Sequence, residues 1–336
     1  MKVLVTGITG LVGAEIGKTL LAKGFKVRAL VRETSDLSAL SEILDEIEIV
    51  KGDILDVLSL EKALENIDTV IHTAAIVSFA PKDRADMYKV NIEGTANVVN
   101  LCLIQGVSKL IFISSIASLG RPTAHQSEGN KAIEISENQK WEDSDLNSHY
   151  AKTKYLAECE VWRGEAEGLK VVVLNPSIVL GAGDWTKSST RLFKYVFDQK
   201  PFYTPGYINY VDVKDVAALA ALSLGEEVYG QRFVVSGGNI KYADFFKEIA
   251  KRFHKNPPNK LLGPRSIAIL WRIEALRSFV FGTNPLITKE TAKTAQTQIL
   301  YKNQKAEKYF NFEFRPLNQT LDEVCGDLLK EYSEVI

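Results

Sequence analysis

Cysteine is scarce in this 336-residue chain. Cys102, Cys159 and Cys325 stand far apart and match no metal-ligand spacing, so no metal site is expected. They read as free thiols in a reducing compartment. An excess of one charge is also missing. Lys and Arg number 41 against 42 Asp and Glu, a net charge of -1, which points away from nucleic acid or an anionic membrane surface as a partner. Long apolar runs are lacking too. The most apolar late segment, 266–282, contains Arg272, Glu274 and Arg277 and is too short and too charged to span a bilayer. The chain opens directly on strand-like sequence, which leaves no room for a signal peptide, and a cytoplasmic location is expected. No internal repeat or low-complexity segment is visible. What is present is ordinary: 46% hydrophobic and 25% charged residues, enough for a sizeable core in one large domain or two modest ones.

The chain is organised around Thr6-Gly7-Ile8-Thr9-Gly10-Leu11-Val12-Gly13. The apolar run 3–5 before it reads as a buried strand. Residues 14–23 after it read as a helix ending at Gly24. In that context Gly7 permits a sharp turn, Gly10 lets backbone approach a pyrophosphate, and Gly13 lets the helix pack close to its strand. The helix N-terminus then offers N–H groups and partial positive charge to the phosphates. Three glycines alone would be an ordinary tight turn; the flanking strand and helix make them a dinucleotide site.

Further strands are expected at 26–31, 47–50, 69–72, 109–113 and 170–174, separated by helical stretches. Alternation of this kind argues an α/β fold with a doubly wound parallel sheet. At the end of the second strand, where an acidic residue holds the ribose of NAD, stands Arg32. Its guanidinium suits the 2′-phosphate of NADP, and Arg28 four residues earlier shares its face. The competing reading leaves Arg32 solvated and gives an NAD ribose to Glu33. Asp53 can accept from an adenine amino group with Ile54 over the ring, or simply cap a turn. His72 reads as a hydrogen-bonded structural histidine. Small residues Thr73, Ala74 and Ala75 let a ligand lie against the backbone. Asn91 falls inside a helix at 86–105, where Asn is mildly unfavourable; it carries a hydrogen-bonding role or is merely solvated. Residues 120–147 read as a polar surface loop.

Tyr150 and Lys154 share one helix face by their spacing. A phenol has a pKa of about 10, too high for a base at neutral pH. A neighbouring ammonium favours phenolate and lowers that value. Tyr150 can then exchange a proton with an alcohol or carbonyl, and Ser115, at the end of the fifth strand, can hold the same oxygen. Such a pair also occurs on many solvated helices. It gains weight by following the Ser114-Ser115 strand end within a nucleotide-binding pattern.

These motifs, with Val90-Asn91-x-x-Gly94-Thr95, Asn175-Pro176-Ser177 and Tyr210-Val211-Asp212-Val213-x-Asp215-Val216, resemble an extended short-chain dehydrogenase/reductase over roughly residues 1–240. Within that family, grouped with NAD-dependent epimerases and dehydratases, the chain is most similar to the dihydroflavonol reductase-like and 3β-hydroxysteroid dehydrogenase-like branch. The resemblance implies a Rossmann-type sheet with a smaller, mostly helical C-terminal substrate lobe. It makes Ser115, Tyr150 and Lys154 the catalytic triad, with Asn91 supporting Lys154 through water. It assigns cofactor contacts to Thr6, Gly7, Thr9, Gly10, Leu11, Val12, Gly13, Arg32, Asp53, Ile54, Thr73, Ala74 and Ala75, to Tyr150 and Lys154, and to Asn175, Pro176, Ser177 and Val179 at the nicotinamide end. A homodimer is common in the family.

Substrate contacts are weakly specified. Val77, Ser78, Phe79 and Ile116 lie at the expected crevice, and Trp185, Arg191, Tyr207 and Asn209 in the smaller lobe; any of them can instead pack. Leu270, Trp271, Ile273, Leu276 and Phe279 form an apolar face that reads as core or lid. The expected division is residues 1–175 with 209–235 for the nucleotide-binding domain, and 176–208 with 236–336 for the substrate lobe. The expected function is NADP(H)-dependent interconversion of a carbonyl and an alcohol on a small, moderately apolar substrate. Two alternatives are an NAD-retaining nucleotide-sugar epimerase and a non-catalytic NADP-binding regulator. Classical sugar epimerases have an acid where Arg32 stands, and dehydratases an acid beside the serine, where Ile116 follows here.

Overall fold

Val3, Leu4 and Val5 are wholly buried at the centre of β1 (Lys2–Thr6), and they divide between the two faces of one sheet. Val3 and Val5 enter one core with Ile16 and Leu20, while Leu4 enters another with Val70, Leu110 and Val171. That division is the period-two alternation of a strand covered on both sides, as parallel sheets require. The computed structural model describes residues 1–122, 132–144, 146–185, 189–225, 227–263, 266 and 298–335.

From β1 the chain passes through the glycine loop into α1 (Leu11–Ala22), then β2 (Lys26–Val31), β3 (Glu48–Lys51), α2 (Val57–Leu64) and β4 (Thr69–His72). Gly24, at φ +79°, turns the chain out of α1, the left-handed stop for which glycine is suited. Next come α3 (Arg84–Tyr88), a single π-helical turn (Lys89–Glu93) and α4 (Gly94–Ile104), which run continuously. Then follow β5 (Lys109–Ile113), β6 (Ile133–Ile135), α5 (His149–Ala166) and β7 (Lys170–Pro176). Ser148 caps α5 by accepting from the Ala151 amide at 3.0 Å.

Seven strands form the main sheet. Its order, with β11 (Gln231–Val235) at one edge, is β11-β7-β5-β4-β1-β2-β3, and every pairing is parallel. The order reverses beside β1, and in open α/β sheets it is outside the carboxyl ends of the strands at such a reversal, here β1 and β4, that ligands bind. The strands expected from sequence all appear, those at 26–31, 69–72 and 109–113 with the same bounds and the others within two residues.

A second body of structure follows β7. It holds β8 (Ile178–Leu180), α6 (Thr190–Phe197), β9 (Phe202–Tyr203), β10 (Tyr207–Asp212), β12 (Gly238–Lys241), α8 (Tyr242–Phe253), β13 (Lys260–Leu261), β14 (Ile299–Tyr301), α9 (Gln304–Phe310) and α10 (Leu317–Val335). Between β10 and β11, α7 (Val213–Leu222) returns to the main sheet and shares the core of α1. Phe193, Phe245, Ile249, Leu321 and Leu328 are wholly buried at the centre of the smaller core, which also takes Val324 and Cys325 along the same apolar stripe of α10.

The smaller body is mostly helical among its described residues, as expected, but it also carries sheets β12-β10-β8, β13-β9 and β14-β6. Strands of two to four residues give too few positions for a period to show in sequence. One expectation needs correction: the segment 120–147 is not wholly irregular, because β6 lies inside it and pairs with β14, distant in sequence. The sequence also reads as helical at 266–281 and 289–298; these stretches, with Leu270, Trp271, Ile273, Leu276 and Phe279, fall almost wholly outside the described residues. Among the described residues, no helix is long and apolar enough to cross a membrane.

Candidate active site

The glycine loop is held by contacts that leave no room for a methyl group. Gly7 lies at φ +70°, and a Cβ on it would come within 2.6 Å of the Ala74 backbone. The small residues after β4 therefore let two chain segments touch. A Cβ on Gly13 would fall 2.7 Å from Ile8 Cα and still nearer the Gly7 carbonyl oxygen. Gly10 is different. It is exposed at the N-cap of α1, with extended backbone, no side-chain cap and no acidic residue in the first turn. An anion can therefore approach the helix end, flanked by Thr9, Leu11 and Val12.

Beneath the loop a chain of hydrogen bonds runs to α5. Thr6 Oγ1 is 2.6 Å from His72 Nδ1, and His72 Nε2 is 3.0 Å from Thr95 Oγ1. Thr95 donates its hydroxyl proton to Asn91 O at 2.6 Å, which makes Nε2 of His72 the donor and Nδ1 the acceptor. Burial pushes the His72 pKa down to about 3, with the nearby Lys154 ammonium adding to the fall. His72 is thus the neutral structural histidine expected. It also stacks on Phe112.

Asn91 sits in the π-helical turn, 2% exposed. Its Oδ1 accepts from the Ile76 amide at 2.7 Å, while Nδ2 donates to Ile76 O at 2.9 Å and Thr153 Oγ1 at 3.0 Å. The asparagine fixes the start of the segment carrying Val77, Ser78 and Phe79, and ties it to α5. Its cost within a helix is offset by three buried bonds.

Tyr150 and Ser115 come together as expected, with the Ser115 hydroxyl close enough to act on the phenol. The Phe79 ring stands edge-on to Tyr150 at 6.0 Å. The expected acidification of the phenol is not found. Burial raises the Tyr150 pKa, and the Ser115 hydroxyl opposes that rise. Lys154 is 2% exposed and turns its ammonium onto Ile113 O at 3.0 Å, over the Phe112 ring. Burial holds its own pKa down to about 7 against the pull of Glu158. A dry site penalises phenolate more than this ammonium, bound elsewhere, can compensate.

Arg32 is exposed just beyond β2, next to β1 in the sheet, as is Glu33. Arg28 takes no part at that end. Its guanidinium donates to Ala63 O, Glu65 O and Glu48, closing the end of α2. Asp53 makes a turn, accepting from the Leu55 amide at 2.9 Å, and Ile54 is buried against Gly94. At the end of β7, Pro176 is buried and Val179 packs on the large core. Asn175 Oδ1 and Ser177 Oγ are buried there without a hydrogen-bond partner among the described residues.

The substrate candidates divide. Val77 and Phe79 are open to solvent, at 56% and 39% exposure, and Ile116, Arg191 and Tyr207 are half-buried. Ser78 instead donates to Asp83 at 2.6 Å. Asn209 is buried and binds the β14 backbone at Ile299 O and the Tyr301 amide. Trp185 packs on Phe197 and Phe253 in the smaller core. One group escaped the sequence reading: Glu158, buried with Ser114, Ser118, Asn175 and Arg232. Its signal was its place one helical turn beyond Lys154.

A sequence profile of the NAD-dependent epimerase/dehydratase family matches residues 3–236. Sterol demethylase protein B of Methylococcus capsulatus is 29% identical over 79% of this chain and 78% of its own length. A Synechocystis sp. protein provisionally named dihydroflavonol 4-reductase is 28% identical, over 90% of this chain and 87% of its own. The crystal structure of gox2253 superposes with a TM-score of 0.81 at 28% identity, covering 98% of both chains.

Proposed function

Because the chain belongs to the NAD-dependent epimerase/dehydratase family, as an NAD(P)-dependent oxidoreductase of the extended short-chain dehydrogenase/reductase type, we propose that it reduces the carbonyl of a small, moderately apolar substrate to an alcohol with NADPH. The observation that carries this reading is the buried Tyr150 phenol brought beside the Ser115 hydroxyl and the exposed Phe79 ring. A phenol whose pKa is raised stays protonated at neutral pH, which is the form that donates to a carbonyl oxygen.

The residues present fit a dinucleotide. The glycine cradle admits backbone and phosphate but no side chain, and the first turn of α1 carries no acid to repel an anion. The orphaned Asn175 Oδ1 and Ser177 Oγ suit the amide-bearing end. When bound, the cofactor supplies a hydride. Arg32 supports the choice of NADPH, since a guanidinium there pairs with a 2′-phosphate. Ser115 holds the substrate oxygen, Tyr150 donates the proton to it, and Lys154 binds the nicotinamide ribose. Val77 and Phe79 present the apolar wall that the substrate meets.

The test follows NADPH absorbance with a panel of aldehydes and ketones. Tyr150→Phe should retain NADPH and lose turnover by about a hundredfold or more. Turnover undiminished by that change removes Tyr150 from the reaction. NAD retained through purification with no net consumption would replace this reading with an epimerase.

A further inference from the structure

Glu158 takes no part in the reaction proposed above. It stands two helical turns beyond Tyr150 on α5, and it is 3% exposed. Oε2 lies 2.8 Å from Ser114 Oγ, 2.7 Å from Ser118 Oγ and 3.0 Å from Asn175 Nδ2. Oε1 lies 3.3 Å from Trp162 Nε1 and 3.2 Å from Arg232 Nη1. A carboxylate so deep is costly unless every lone pair is met, and here each oxygen is.

The groups that meet it also reach Ser115. Ser118 Oγ lies 2.8 Å from Ser115 O, and Asn175 Nδ2 lies 3.2 Å from the same oxygen. The carboxylate therefore anchors the short turn whose first residue is Ser115. On the other side it faces Lys154, one turn back along the helix.

We propose that Glu158 is a positioning residue of the active site: its hydrogen bonds hold the turn that presents Ser115, and its buried carboxylate, on the same face of α5 one turn from Lys154, favours the ammonium form there. The proposal rests on the catalytic reading of Ser115, Tyr150 and Lys154. Lys154 stands near neutral His72 on β4 and over the Phe112 ring on β5, donates to Ile113 O, and faces the charge of Glu158 one turn along its own helix. Glu158 meets Arg232 on β11, with Glu137 and Lys305 beyond it, and Tyr155 and Cys159 on α5. Of these, Glu158 is the anion that raises the pKa of Lys154, and Arg232 is the cation that partly neutralises Glu158.

The test reads the ionisation of Lys154 directly, by NMR of isotope-labelled lysine side chains across a pH series. The resonance that titrates near neutrality and disappears in Lys154→Met belongs to Lys154. Glu158→Gln should lower its midpoint by about one pH unit or more. Arg232→Met should raise it, because the carboxylate is then less neutralised. A midpoint unmoved in Glu158→Gln, or one that stays or falls in Arg232→Met, overturns the proposal. If Glu158→Gln fails to fold, the sign seen in Arg232→Met decides alone. Neither measurement uses cofactor or substrate. Failure of the carbonyl panel would therefore sink the proposed function while this result stood on its own.

Discussion

Adding one methyl group at Gly13 and one at Gly10 separates the two tasks of the glycine loop. At Gly13 the new Cβ would meet Gly7 O, Ile8 Cα at 2.7 Å and the Gly7 carbonyl carbon at 2.8 Å. All three are backbone atoms, which no rotamer change can move aside. Overpacking of this kind costs about 1–3 kcal/mol, and the upper end applies where nothing can yield. In a protein of this size about 3 kcal/mol lowers the melting temperature by roughly 4 °C. At Gly10 the new Cβ would meet only Gly7 O, at 3.4 Å, and the backbone at φ -88° suits alanine. Gly10→Ala should therefore cost about 1 kcal/mol or less in stability. Its methyl group would stand where the phosphates approach, so NADPH affinity should fall about tenfold or more. Thermal melting and a fluorescence titration with NADPH read the two effects separately. Gly13→Ala melting like the unmodified protein would show that α1 is not locked to the loop. Gly10→Ala binding NADPH undiminished would show that the phosphates do not lie there.

Arg32→Ala should weaken NADPH by about tenfold or more and leave NADH unchanged, since a charge-assisted contact contributes about 1.5–3 kcal/mol. Equal losses for both nucleotides in the same titration would refute selection by Arg32. His72 makes stability depend on acid. Its pKa falls from 6.5 to about 3 on folding, so between those values the unfolded chain takes up a proton that the folded one refuses. Its contribution is complete above pH 6.5 and is lost as pH falls through that window. Urea denaturation at a series of pH values should show the loss, and His72→Gln should flatten it; an unchanged slope would contradict the assignment.

The strands around the expected crevice were legible because each is buried on both faces and reads as a short apolar run. The glycine loop was legible because its task is backbone geometry, which glycine alone announces. The pair Tyr150 and Lys154 could be placed on one face of a helix by spacing alone. The π-helical turn at Asn91 could not be read. It exists because Ile76 and Thr153, distant in sequence, supply the partners for one side chain. The sheet joining β6 to β14 was hidden for the same reason. Ser78, Trp185 and Asn209 looked available for a substrate and are engaged by neighbours that local sequence does not reveal.

Taken alone, the amino-acid order determined the alternation of strand and helix, the phosphate loop, and the shared helix face of Tyr150 and Lys154. Those features follow from local periodicity and from residue types with narrow conformational uses. The folded chain decided the ionisation of Tyr150 and Lys154, the burial of Glu158 among five partners, and the role of Arg28. Such properties are sums over atoms brought together from separate elements, and burial sets their sign.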